Sequence, residues 1–245
     1  MRIFLTIFIV SLFINLSRGE EHFLSLNLQL HYDFRRDYIT TTEEFFASDG
    51  LGYTFAFMDI NFDPYRKEGG ASDFYFEIMR YFRIFGWKGK NIYFTIQYDD
   101  GTTPIWNIWL AGINVGNIKI GSFDFSTEFL LKKDYQLDVN WQYTLVWFAS
   151  FFKGKFIFNG FLDYWVNDVN NSNWPTADPE LAANKYSFQS EPQIGWMISS
   201  RWKIGSEVEI SRGFLGSVTG KLYQEEEYRH DKWYFLPTIF VQYNF

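Results

Sequence analysis

The chain has 245 residues, with 22 Lys or Arg against 29 Asp or Glu for a formal charge of -7, and it has no cysteine. There is no basic footprint for phosphate, which argues against a nucleic-acid partner, and neither disulfide staples nor a thiol-linked lipid anchor is available. Aromatic residues make up 22% of the chain while the mean hydropathy is -0.20, so the apolar residues must be interleaved with polar ones.

The opening MRIFLTIFIVSLFINLSRGEE has a basic start at Arg2, an apolar run from Ile3 to Leu16 and small residues at Ser17 and Gly19. That layout predicts a secretory signal peptide over residues 1–19, since the run is too short to span a bilayer comfortably. Loss of Arg2 and Arg18 takes the net charge from -7 to -9. Residues 20–245 then form one large all-β domain.

The next segment alternates: Leu24, Leu26, Leu28, Leu30, Tyr32 and Phe34 against Ser25, Asn27, Gln29, His31 and Asp33. A period of two places the sets on opposite faces of a strand. YITTTEEFF (38–46) reads as a second strand between turns at 35–37 and ASDG, and the pattern returns at 91–99, 135–145 and 186–198. These strands are longer than those of a typical sandwich and match the ~9–11 residues that cross a bilayer on a tilt. With few charges on the apolar face, they predict a closed antiparallel transmembrane β-barrel of about twelve strands, because an open sheet edge is not tolerated in hydrocarbon. Short turns are expected at 85–91, 115–117, 151–155 and 199–203, and long outer loops at 167–185 and 213–231. Trp87, Trp147 and Trp202 beside three of the short turns suit an aromatic girdle. Both termini are then periplasmic. Arg80 and Glu43 fall on the apolar face, and Glu43 has no evident reason to be there. The ending IFVQYNF reads as the closing strand, with Ile239, Val241, Tyr243 and Phe245 outward and Gln242 and Asn244 inward.

The expected inward set is polar: His31, Asp33, Thr40, Thr42, Glu44, Glu77, Gln97, Asp138, Asn140, Gln189, Glu191, Gln193, Glu207 and Glu209. Such residues either hydrogen-bond one another in a filled interior or line a narrow path for a small solute. Folding 186–212 into a hairpin brings Glu191 towards Glu207 and Glu209, where three carboxylates need an Arg or Lys, a retained proton or a cation, the first being favoured. Tyr53, Phe55, Phe57 and Asp59 share one face of LGYTFAFMDIN, and the period leaves open whether that face is inner or outer. Histidine occurs at 22, 31 and 230, too thinly for a metal cluster, and no cofactor is implied. DVNNSN (168–173) departs from a calcium loop at Ser172 and lacks the following Gly. His31 and Asp33 could serve a serine nucleophile, but no hydrolase motif surrounds them.

LQLHYDF (28–34), RDYITTT (36–42), WLAGIN (109–114), the spacing of Gly160, Phe161, Asp163 and Trp165, EPQ (191–193) and GSEVEIS (205–211) resemble a family of uncharacterised Gram-negative outer-membrane proteins similar to the nucleoside-specific channel-forming protein Tsx. The resemblance implies a monomeric twelve-stranded barrel with a narrow pore passing nucleosides and related solutes over aromatic and ionisable lumen residues, and no enzymatic activity. The alternative is a barrel with a structural or surface-binding role exercised through its outer loops. The partners implied are the lipid bilayer, a small polar solute and, through the terminal aromatic, the barrel-assembly machinery.

Overall fold

The computed structural model describes residues 23–67, 69–102, 107–134, 139–166, 186–226, 229 and 231–245. The expected leader, the loop 167–185 with DVNNSN, and Asp138 lie outside the described residues. In chain order the strands are β1 (Leu24–Asp33), β2 (Tyr38–Asp49), β3 (Gly52–Phe62), β4 (Asp73–Trp87), β5 (Lys90–Gly101), β6 (Ile108–Ile120), β7 (Phe123–Asp134), β8 (Val139–Phe151), β9 (Phe156–Val166), β10 (Tyr186–Ser190), β11 (Gln193–Met197), β12 (Trp202–Arg212) and β13 (Trp233–Asn244); a 3-10 turn (Leu215–Ser217) and one short helix, α1 (Gly220–Glu225), precede β13. Each strand pairs antiparallel with its neighbours, and β13 returns to β1 with Asn27 opposite Asn244 and Asp33 opposite Thr238. The sheet therefore closes and leaves no edge.

β10 and β11 lie end to end, both pairing with β9 and with β12, so thirteen segments make a barrel of twelve strands. The break falls at Glu191 and Pro192. Proline has no N–H to give a ladder, and here its carbonyl still accepts from the Val208 N–H at 3.1 Å. The sequence pattern had read 186–198 as one uninterrupted strand.

Short connections join β2 to β3, β4 to β5, β6 to β7, β8 to β9 and β11 to β12 at the end that also carries the two termini; the other end carries the short turn 34–37 and the longer connections. One expected turn is wrong. Val115–Asn117 is not a turn: β6 runs through it with a register shift between Val115 and Ile118, and the chain reverses at Gly121 (φ +60°) instead. Asn117, at φ +59°, takes up the extra residue of a bulge, and Gly-Asn chemistry serves a bulge as well as a turn.

The outer face is apolar. Leu24, Leu26, Leu28 and Leu30 are exposed while Asn27, Gln29, His31 and Asp33 are buried, and on β13 Ile239 is exposed while Gln242 is buried. Trp87 and Trp202 are exposed beside the short turns. Trp147 sits deeper in β8, packed on Phe158 at 6.2 Å with its indole N–H buried, so it is not a strand-end girdle residue. Arg80 does face outward, near the short-turn end, where its guanidinium meets Asp49 at 2.9 Å and the Thr54 hydroxyl at 3.2 Å and lies 5.1 Å from the Phe82 ring centroid. Glu43 is exposed on the outer face of β2 between Leu28 and Met58.

Candidate functional site: the lumen

The ladder registers decide which residues face inward. Thr42 lies opposite Gln29 and Asp59, Asp59 opposite Tyr75, and Glu77 opposite Phe57 and Asp99. Residues directly opposite share a face, so the inward set of β1 carries round to β5. Tyr53, Phe55, Phe57 and Asp59 are therefore on the inner face, which the sequence period alone left undecided. Tyr53 stacks on Tyr81 at 4.3 Å between ring centroids and on Phe46 at 5.5 Å, with Tyr93 edge-on at 5.2 Å. Phe57 continues the wall towards Tyr75 at 5.8 Å.

Two hydrogen-bonded networks brace opposite walls. On one, the Arg36 guanidinium bridges Asp33 (2.6 Å) and Glu209 (3.0 Å), while Asp33 also accepts the backbone N–H groups of Arg35 and Arg36, each at 2.7 Å. Lys203 donates to Gln193 Oε1 at 2.8 Å, and Gln193 donates to Glu207 at 3.1 Å and to Gln29 at 3.3 Å. The Asn27 amide holds Glu44 at 2.7 Å. On the other wall, Glu128 accepts from Tyr81 (2.7 Å), Gln97 (2.6 Å) and Asn114 (2.9 Å). A buried carboxylate with three donors is locked in place.

The expectation that a base reaches the Glu191, Glu207 and Glu209 group holds for Glu209, through Arg36. His31 lies 3.8 Å from Glu207, bonds the Gln29 amide oxygen at 3.1 Å and stacks on Phe240 at 5.2 Å. Neither His31 nor Asp33 bonds a serine hydroxyl among the described residues.

Six carboxylates, Asp59, Glu77, Asp99, Asp163, Glu191 and Glu207, line the interior, the last of them also held by Gln193 of the first network. Glu77 has Asp99, Asp163 and Glu191 as its charged neighbours, and Glu191 has Glu207, Glu209 and Asp59. Asp59 is held by Thr42, Asp163 by Thr144 and Glu191 by Gln189, at 2.5, 2.5 and 2.8 Å. Glu77 accepts from Tyr75. Asp59, Glu77 and Asp99 lie on the successive strands β3, β4 and β5, and Asp163, Glu191 and Glu207 on β9, at the β10–β11 break and on β12, half a turn of the barrel away, so these groups ring the lumen. Trp165, on the same wall as Asp163, carries the Lys132 ammonium 4.6 Å from its ring centroid.

Over the long-loop end, residues 213–226 fold inward as a cap. Val218 and Leu222 form an apolar cluster with Tyr234 and Leu236 of β13. The cap is pinned by Gly220 N–H to Asp63 (3.0 Å), Lys221 N–H to the Arg36 carbonyl (2.8 Å), Tyr38 to Thr219 (2.9 Å) and Ser211 to Ser217 (2.5 Å). Outside it, the hydroxyls of Tyr32 and then Tyr65, at 2.7 and 2.8 Å, hold the Asp37 carboxyl below its ordinary range.

Several of these residues escaped the sequence reading. Asp99 and Lys132 keep the inward phase of their strands and were open to it; Arg36 sits in a turn, where no period applies. The sequence pattern makes 213–231 a polar outer loop, but its Val218 and Leu222 are apolar and buried.

Residues 25–245 match the family described as "Domain of unknown function (DUF5020)". The chain belongs to this family. For this DUF5020 protein no curated protein matches. Among solved structures, it is similar to the NanC porin in a rhombohedral crystal form, with a TM-score of 0.57 and 8% identity over 90% of this chain and 98% of that one. It is also similar to the KdgM porin, alone and in complex with disordered oligogalacturonate, with a TM-score of 0.54 and 10% identity over 90% of this chain and 99% of that one. At such identities the likeness concerns the DUF5020 fold, a closed antiparallel barrel of the outer-membrane porin type.

Proposed function

We propose that this DUF5020 barrel is an outer-membrane channel for passive uptake of small polar solutes, nucleosides among them, inserted as a monomer with both termini in the periplasm. The carrying observation is the inner wall itself. Tyr53, Phe55, Phe57, Asp59, Glu77, Asp163 and Glu191 are inward yet only half-buried, so the polar interior is not packed shut around them. A nucleobase gains about 1–3 kcal/mol from stacking on one aromatic ring, and Asp59 and Glu77 stand beside the aromatic wall to accept from a sugar or base. The relation to Tsx-like channels rests on the sequence resemblance and on this combination of aromatic and acidic wall. Oligogalacturonate, with which the KdgM porin forms a complex, is a polyanion and would face the carboxylate ring, so it is a poor occupant here. Phe245, exposed just after β13, suits recognition by barrel-assembly machinery.

The cap favours a second reading, a closed barrel with a structural or surface-binding role. Planar-bilayer recording separates the two. The channel reading expects discrete conductance steps that uridine reduces in a concentration-dependent way; a silent protein supports the second, and steps indifferent to a panel of nucleosides remove the nucleoside class.

A further inference from the structure

The ring of carboxylates has a feature that hydrogen bonding within it does not explain. Asp99 is only 8% exposed and its Oδ1 is buried with no hydrogen-bond partner. It stands opposite Glu77 in the β4–β5 ladder, and its charged neighbours are Lys132 and Asp163. A desolvated carboxylate without a partner costs several kcal/mol unless a cation compensates it. Lys132 is in the neighbourhood but bound to none of them: its ammonium rests on the Trp165 face, and no ion pair within 4 Å joins it to an acid among the described residues. The protein thus already accommodates one alkylammonium group in this place, on an aromatic face with acids around it.

We infer that the ring is a cation filter, and that the solutes it favours are small organic ammonium ions. This rests on the channel reading and adds the charge class of the solute. An ammonium entering the lumen would meet Asp59, Glu77 and Asp99 on one wall, from β3, β4 and β5, and Asp163, Glu191 and Glu207 on the other, from β9, the β10–β11 break and β12. Rings of acidic side chains select cations because the carboxylates replace part of the ion's hydration and repel anions. Aromatic faces add attraction for quaternary and primary ammonium groups. Two acidic walls facing one another across the lumen suit a linear diamine better than a single charge.

The test uses the full barrel in planar bilayers under a KCl gradient, with 1,4-diaminobutane and uridine added separately. The expected result is a reversal potential on the potassium side and block by the diamine at lower concentration than by uridine. Asp99→Asn should weaken diamine block about tenfold, the order of one lost charge contact at low dielectric, while Lys132→Met should tighten it. If Asp99→Asn does not insert, Asp163→Asn carries the same expectation, and the wild-type reversal potential needs no variant. Conductance that favours chloride or shows no preference, or diamine block unchanged in the neutralised variants, overturns the filter and leaves the channel reading intact. A silent protein overturns the channel reading, and the filter with it.

Discussion

Gly220→Ala isolates what the cap does. Gly220 sits at φ +61°, where a side chain costs about 1–2 kcal/mol, and a Cβ there would collide with the Arg36 carbonyl oxygen and come within 2.7 Å of the Tyr38 ring. That carbonyl is backbone and cannot swing aside, so the turn must lift. Lifting it stretches the Gly220 N–H to Asp63 bond, a charge-assisted contact worth about 1.5–3 kcal/mol. Taken together, the cap is loosened by about 3 kcal/mol, a roughly hundredfold rise in its open population. The strands are untouched. Limited trypsin digestion at Lys221 should then accelerate about a hundredfold, because cleavage follows the open population when reclosing is fast, while the heat-modified gel shift of the barrel keeps its temperature. Single-channel conductance should rise in the same variant. Unchanged protection at Lys221, or loss of the folded barrel together with the cap, would refute the idea that 213–226 is a separately anchored plug.

Glu43→Leu should stabilise the barrel in lipid vesicles by about 1–3 kcal/mol in reversible guanidine unfolding, since an acid on the outer face in mid-strand faces hydrocarbon; a loss of stability would mean that Glu43 is covered by a partner. Glu128→Gln should destabilise by about 1–3 kcal/mol because the new amide points donors at Tyr81, Gln97 and Asn114, with conductance unchanged; altered conductance would place Glu128 in the path. Asp37 is held below its usual pKa of 3.8 by Tyr32 and Tyr65, so its contribution is fully present above that pH and fades as pH falls below it. Wild-type tryptic accessibility of the 63–72 loop, sampled after brief acid exposure, should stay flat above pH 4 and rise below it, and Asp37→Asn should abolish the dependence.

Strand identity, facing and closure were legible because a period of two, held over ten or more residues, fixes which side chains share a wall. What the period could not decide was a strand apolar on both faces. Tyr53, Phe55 and Phe57 alternate with Thr54, Ala56 and Met58, and only the registers with β2 and β4 turn the aromatics inward. Local chemistry misled at Val115–Asn117, where a positive φ belongs to a bulge, and at Pro192, where a missing N–H splits one strand into two. The acidic ring was largely visible: Asp59, Glu77, Asp163, Glu191 and Glu207 could be nominated singly. That they surround one space is a property of twelve registers together, which no single strand carries. Arg36 was hidden for a different reason, since its partners Asp33 and Glu209 come from opposite ends of the chain.

The seam between β1 and β13 also sets a kinetic problem. With β10 and β11 taken as one broken strand, every other ladder joins strands that follow one another in the chain. The seam unites residues 27 and 244, and closing a loop of that length costs about 5 kcal/mol in chain entropy before a single bond is returned. Until it forms, two long apolar strands offer unpaired edges, the condition under which sheets join their neighbours instead of themselves. β13 is thus the strand whose arrival closes the sheet, and any agent that holds Phe245 beside Leu26 would shorten the interval in which the barrel can go wrong.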